Sequence, residues 1–178
     1  MRKHFQTLLA IVSLLSAVQA VAGTQVIGVE VGVTTSDQLK SDLSKRTKIE
    51  DRGENKFTNG AMLRTDGASY EIEGLTDVLY IFDEQKKLAG VLMTMNKARF
   101  DSVFQFLSSK YKVTAQQRPF VGDQFARFKP ADAVIEMDAP HLGFTMEVRY
   151  IRNDLMEKYN AASAAEAAAK KKSEAAKF

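Results

Sequence analysis

The hydrophobic positions of the chain follow two different periods, which predict helices and β-strands in separate blocks. After a β-branched segment at 26–33, Thr35 and Gln38 form a capping box, which predicts a short helix over 36–45. A second helix is predicted to begin near Asn96, because apolar residues then recur every three or four positions. Its apolar stripe comprises Phe100, Val103, Phe104, Leu107 and Tyr111.

Each predicted helix is followed by segments that alternate between apolar and polar residues, as half-buried strands do. After the first helix these segments are short strands within 47–67, then 70–73, 78–82 and 88–95, the last two forming a hairpin. After the second helix they are 112–116, 124–128, 134–137 and 144–151. A helix followed by antiparallel strands, twice, predicts an α+β fold built as tandem αβββ units.

The two halves, 26–95 and 96–156, also align with each other, which suggests an internal duplication. Leu39, Leu43 and Ile49 align with Val103, Leu107 and Val113 at a constant separation of 64 residues. Further along, 70–73 aligns with 135–138, and 78–82 with 144–148. Any two stretches of this kind would align about as well, so duplication and coincidence both stay open.

The N-terminus has the pattern of a cleavable signal peptide. Arg2 and Lys3 precede an apolar run at 8–18, and Ala20-Val21-Ala22 has the small-x-small pattern of a cleavage site. The run is shorter than the roughly 20 residues that span a bilayer. We therefore expect a signal peptide at 1–22, a globular domain at 23–156, a helical or disordered tail at 157–178, and a periplasmic location.

Composition narrows the chemistry that the chain can perform. Cysteine is absent, which excludes disulfides, thiolate nucleophiles and cysteine-ligated zinc. The formal net charge of +3 includes Arg2 and Lys3 of the leader, so the exported chain would be nearly neutral. Such a chain lacks the broad basic field that nucleic-acid binding requires, and no nucleic-acid partner is expected.

The segment from Gly28 to Gln38 resembles the glycine–threonine entry into the first helix of small envelope domains of the BamE/SmpA type and of the tandem β-lactamase-inhibitor-protein fold. The resemblance covers 26–152 in outline, through the order of helix and hairpin. The chain departs from it in lacking a lipidation cysteine and in showing one helix per half. The resemblance implies a protein-binding or assembly-accessory domain without chemistry of its own, and it implies no site residue.

Two candidate chemistries are present in the exported part. His141 lies three residues from Asp138, and a hydrolase would use such a pair with a serine, although no G-x-S-x-G motif occurs. Met93 and Met95 share one strand face, with Met137 and Met146 as further thioethers; thioethers suit Cu(I), and methionine also fills apolar cores. We expect the turn and core roles, with no enzyme activity and no cofactor.

Two segments are candidate partner contacts. The loop around Phe120 is apolar and is flanked by Arg118 and Arg127, so Phe120 is either an anchor for a partner or tucked into the core. The tail at 161–178 is half alanine and contains Lys170, Lys171 and Lys172. These lysines are either solvated or in weak contact with anionic lipid or cell wall.

The leading prediction is a non-enzymatic exported protein that binds another envelope protein or an envelope component. The alternatives are a periplasmic carrier of a small apolar ligand or a metal, and a hydrolase that uses His141.

Overall fold

The computed structural model describes residues 23–177, and these residues form the expected α+β fold. The helices are α1 (Ser36–Leu43), α2 (Phe100–Lys110) and α3 (Asn153–Ala175). The strands are β1 (Gln25–Val26), β2 (Val29–Glu30), β3 (Ile49–Glu54), β4 (Asn59–Asp66), β5 (Leu75–Asp83), β6 (Leu88–Asn96), β7 (Lys112–Gln117), β8 (Gln124–Lys129), β9 (Ala133–Ala139) and β10 (Thr145–Arg152). The predicted signal peptide at 1–22 and the terminal Phe178 lie outside the described residues.

Eight strands form one antiparallel sheet in the order β3-β4-β5-β6-β10-β9-β8-β7. The two halves have the same strand order on either side of the junction between β6 and β10: β6, β5, β4, β3 on one side and β10, β9, β8, β7 on the other. At the junction Met93 lies opposite Val148, and Val91 lies opposite Tyr150. Each half is therefore a helix followed by a four-stranded meander. The predicted tandem αβββ units are therefore one strand short in each half. Four strand-like segments were identified after the second helix, but the region 47–67 was not resolved into β3 and β4.

Two predicted strands are interrupted by left-handed backbone. The segment 26–33 forms only the two-residue strands β1 and β2, because Ile27 and Gly28 turn the chain with φ of 41° and 85°. The segment 70–73 is not a strand: a 3₁₀ turn spans Gly67–Tyr70, and Glu71 follows with φ of 55°. The Tyr70 hydroxyl instead lies 2.8 Å from that of Tyr80, which fixes the turn against β5.

The second part of the sequence alignment between the halves was wrong. Strand order makes β5 equivalent to β9, and β6 to β10. The buried residues Val78, Tyr80 and Phe82 of β5 thus correspond to Ile135, Met137 and Ala139 of β9, whereas the sequence aligned them with β10. Since strands with a two-residue period align equally well with one another, pattern alone could not choose the right partner.

Helices α1 and α2 cover one face of the sheet, the inner face, and form the main core with it. Leu39 and Leu43 of α1 are buried, as are Phe100, Phe104 and Leu107 of α2, which confirms the predicted stripe. The Phe104 ring packs 5.7 Å from that of Phe128 on β8.

Helix α3 crosses to the opposite, outer face and covers only part of it. Its first turn places Leu155 over Gly90, where an added Cβ would lie 3.7 Å from Leu155 Cδ2 and 3.3 Å from the Tyr150 carbonyl oxygen. Tyr159 packs edge-on against Phe57 with ring centroids 5.7 Å apart. From residue 164 onward the described helix is exposed, and no helix within 23–177 has the length and apolarity needed to cross a bilayer.

Candidate functional site

Two loops meet at one end of the sheet and form the feature that we call the loop pair. They are the β7–β8 loop at 118–123 and the β9–β10 loop at 140–144. The Gly122 N–H donates to Nδ1 of His141 at 3.2 Å, and the His141 N–H donates to Asp123 Oδ1 at 2.6 Å. Gly122 permits this arrangement with its φ of 130°. Each of these hydrogen bonds therefore joins a backbone N–H of one loop to a side chain of the other loop.

Large apolar side chains project from the loop pair into solvent. Phe120 is fully exposed, Leu142 and Phe144 are each 91% exposed, and Val121 is 67% exposed. We call these four residues the loop patch. Single exposed apolar residues are ordinary on protein surfaces, whereas several at one place are typical of an interaction site.

Charged residues brace the loop pair against α2 and leave the loop patch exposed. Arg118 donates to Asp101 Oδ1 at 2.6 Å, and its guanidinium lies 4.3 Å from the centre of the Phe104 ring. Lys97 holds the other loop, because its N–H donates to the Phe144 carbonyl at 2.8 Å and its Nζ donates to the His141 carbonyl at 3.1 Å. The backbone of both loops is therefore hydrogen-bonded in place, while the loop-patch side chains are exposed among residues 23–177.

The structure brings together only some of the contact residues predicted from sequence. Phe120 is exposed, and Arg118 lies in the same loop. Arg127 lies on the outer face of β8, where it donates to Glu136 Oε1 at 2.6 Å. The exposed residues Lys170, Lys171 and Lys172 are on α3. Leu142 and Phe144 were not predicted as contacts, although Leu142 is an apolar residue between Pro140 and Gly143 in a turn.

His141 and Asp138 do not form a dyad. Nδ1 of His141 accepts the Gly122 N–H, while Asp138 lies 3.5 Å from Nη2 of Arg149 on β10. The four methionines considered for copper are buried in the main core: Met93, Met95, Met137 and Met146. Within 23–177, no cluster of three or more histidine, aspartate or glutamate side chains has a metal-binding arrangement.

A row of charged and apolar residues crosses the outer face, each directly opposite the next. It runs Glu50, Arg64, Leu79, Leu92, Arg149, Glu136 and Arg127. Glu136 is only 7% exposed, and it bridges Arg127 and Arg149 at 2.6 Å and 3.3 Å. Arg149 Nε is buried without a hydrogen-bond partner among the described residues.

An apolar cleft of about 210 Å³ lies between this row and the start of α3. Its lining residues are Asn55, Phe57, Ile81, Leu92, Glu136, Arg149, Ile151, Leu155, Met156 and Tyr159. Arg152 fixes the start of α3 beside the cleft, because Nη1 donates to Asp83 at 2.8 Å while Nε and Nη2 donate to Asp154 at 2.6 Å and 2.8 Å. The hydrogen bonds from Arg152 to Asp154 lower the pKa of the Asp154 carboxyl group.

Comparisons of the chain with protein-family models, curated proteins and solved structures find no match. The resemblance to the small envelope domains therefore stays a prediction from sequence.

Proposed function

We propose that this chain is an exported, non-enzymatic protein that binds another protein of the cell envelope through the loop pair. The observation that carries the proposal is the loop patch, in which Phe120, Leu142 and Phe144 are almost completely exposed. A protein–protein interface typically depends on a few large side chains that enter pockets of the partner, and aromatic residues are prominent among them.

The hydrogen-bonded backbone beneath the loop patch supports the same proposal. Arg118, Lys97 and the bond between Gly122 and His141 hold both loops in place before any partner arrives. Binding by a preformed surface loses less conformational entropy than binding by a mobile loop. The resemblance of the segment 28–38 to small envelope domains also implies a binding role.

The proposal is tested with two matched pairs of substitutions. One pair is Leu142→Ser with Phe144→Ser in the loop patch. The control pair is Val33→Ser with Ile72→Ser, which removes two aliphatic side chains of 56% and 38% exposure that lie outside the loop pair. Each tagged protein is mixed with an envelope extract, and the bound proteins are identified by mass spectrometry.

We expect the unmodified and control proteins to retain one specific partner, and the loop-patch pair to retain at least tenfold less of it, which is about 1.4 kcal/mol of binding free energy. Equal retention by all three proteins would contradict a role for the loop patch.

Export is tested separately, by N-terminal sequencing of the protein recovered from cells. We expect a mature chain that begins after Ala20 or Ala22, recovered with the periplasmic fraction. An intact Met1 on protein from the cytoplasm would remove the envelope part of the proposal.

The cleft under α3 favours a second candidate function, carriage of a small apolar molecule. The specific observation is the lining of the cleft, where Phe57, Leu92 and Leu155 are among the residues around a space of about 210 Å³. N-phenyl-1-naphthylamine, an apolar fluorescent probe, tests for an apolar cleft. Leu92→Trp, which fills the cleft, should abolish a fluorescence increase that Leu142→Ser leaves unchanged.

A further inference from the structure

The sheet ends in two edge strands that occupy equivalent positions in the two halves, β3 and β7. In β3 four of the six residues are charged: Glu50, Asp51, Arg52 and Glu54. In β7 only the first residue, Lys112, is charged, and the rest of the strand is Val-Thr-Ala-Gln-Gln. Both strands are irregular in register with their inner neighbour, so charge is the main difference between the edges.

This difference matters because an edge strand exposes unpaired N–H and C=O groups that can pair with another chain. Charged side chains are a common protection against such pairing. Strand β3 has this protection and β7 lacks it beyond Lys112. Apart from the half-buried Val113, every residue of β7 is exposed, so its edge is accessible.

Exposed aromatic residues precede and follow β7 in the sequence. Before the strand, Phe106 of α2 is 55% exposed, and Lys110 Nζ lies 4.3 Å from the centre of its ring. After the strand, Phe120 and Val121 project from the β7–β8 loop. If two copies of β7 pair antiparallel, the end of each strand lies beside the start of the other. Phe120 of one copy is then brought toward the end of α2 in its partner, which adjoins the start of β7.

We propose that β7 pairs with β7 of a second copy of this chain, antiparallel about a two-fold axis near Ala115. The contact is isologous, which means that both copies contribute the same strand. Because the residues of β7 near the axis are uncharged, no like charges lie opposite each other there. The two sheets join into one continuous sheet, and the flanking aromatic residues lose water-exposed surface.

The dimer goes beyond the proposed function and leaves part of the loop patch free. Leu142 and Phe144 lie in the β9–β10 loop, two strands inward from the paired edge. The dimer therefore presents two loop patches, and a partner with two binding sites would be held with higher avidity than a single copy provides.

The absence of cysteine from the chain allows a direct test. Residues opposite each other across antiparallel strands have Cα atoms about 4.5–5.5 Å apart, within the range that a disulfide spans. The Ala115→Cys protein, treated with the mild oxidant diamide, should become a covalent dimer on a non-reducing gel. The Arg52→Cys protein, with its thiol on the β3 edge, should remain largely a single chain.

Light scattering on the purified protein gives the second measurement. The unmodified protein should have twice the mass of one chain at high micromolar concentration. Ala115→Lys with Gln116→Lys, which places four lysines at the paired edge, should halve that mass. The control Ala161→Lys with Ala164→Lys adds the same charge on exposed positions of α3 and should stay dimeric. Circular dichroism checks that each variant is folded.

A single-chain mass for the unmodified protein, or equal cross-linking of Ala115→Cys and Arg52→Cys, overturns the proposed dimer. If the protein is a single chain and the edge lysines abolish partner capture, β7 receives a strand from a different protein. Failure of the dimer is distinguishable from failure of the proposed function, since the dimer needs no extract and the Leu142→Ser/Phe144→Ser protein should still dimerise.

Discussion

Arg149 lies directly opposite Glu136 on the neighbouring strand, and Nη2 of Arg149 is 3.3 Å from Oε2 of Glu136. The Glu136 carboxylate also accepts two hydrogen bonds from Arg127, at 2.9 Å and 2.6 Å. A nearly buried carboxylate between two arginines joins β8, β9 and β10 on the outer face, where no helix of the main core covers them.

We expect Glu136→Gln to lower the free energy of unfolding by about 1–3 kcal/mol, because two guanidinium groups lose their charged acceptor. The value stays below that of a fully buried pair, since the Arg127 side chain is 48% exposed. Urea denaturation measures the change. Glu147→Gln, whose carboxylate is half exposed and 3.6 Å from Arg149, is the control and should change stability by less than about 0.5 kcal/mol.

Leu155→Ala should release the start of α3 from the sheet. Leu155 is 5% exposed and packs over Gly90, so its truncation should cost about 2–3 kcal/mol of local stability, near the low end for buried leucine. Amide hydrogen exchange should become faster at 153–160 and unchanged in α2. Ala164→Gly, farther along the same helix, is a control that lowers helix propensity without touching the sheet. Equal acceleration in both variants would show that packing of Leu155 does not hold α3.

Protonation of Asp154 should weaken the attachment of α3 in acid. Its pKa is lowered in the folded chain, chiefly by the hydrogen bond from Arg152. The stabilisation is therefore present above the ordinary aspartate pKa of about 4, and it is lost as pH falls through the lowered value. We expect Asp154→Asn to cost less than about 1 kcal/mol at neutral pH, because the carboxylate is 51% exposed.

The pH dependence distinguishes this ion pair from a general effect of charge on α3. The stabilities of the unmodified and Asp154→Asn proteins, measured by urea denaturation, should begin to converge as pH falls below about 4 and should meet below the lowered pKa of Asp154. Glu157→Gln, one turn further along α3, should parallel the unmodified protein across the range. A difference between the unmodified and Asp154→Asn proteins that persists undiminished at acidic pH would contradict the role of the carboxylate.

The capping box at the start of α1 should be worth about 1 kcal/mol. Thr35 Oγ1 accepts the Gln38 N–H at 3.3 Å, and Gln38 Oε1 accepts the Thr35 N–H at 2.9 Å. Thr35→Ala removes the first of these bonds and should lower the thermal midpoint by several degrees. Ser41→Ala, at an exposed position in the same helix, should leave the midpoint unchanged or raise it slightly.

Two local signals were read correctly from the sequence. The capping box and the stripe of α2 depend on residues within a few positions of each other, and both are confirmed. The prediction of a strand at 70–73 was wrong. Its alternating pattern is overridden by the hydroxyl contact between Tyr70 and Tyr80, which are ten residues apart. Likewise, the exposure of Leu142 and Phe144 depends on how two distant loops meet.

The outer row could not be predicted, because it depends on strand register across the whole sheet. Arg64, Arg149 and Arg127 are distant in sequence, and only the strand order places them on one face with Glu136 between two of them. A shift of one residue in any strand would have sent its charges into the core.

Strands β6 and β10 occupy equivalent positions, but the helices that follow them pack on opposite faces of the sheet. Helix α2, after β6, packs on the inner face, and α3, after β10, packs on the outer face. The inner face therefore contains the main core, while the outer face is stabilised chiefly at the start of α3 and around Glu136. Away from these two places, mutational tolerance should alternate residue by residue along β8 and β10, where buried residues alternate with half-buried or exposed ones. Selection for new partners can act on one side of these strands without unfolding the protein.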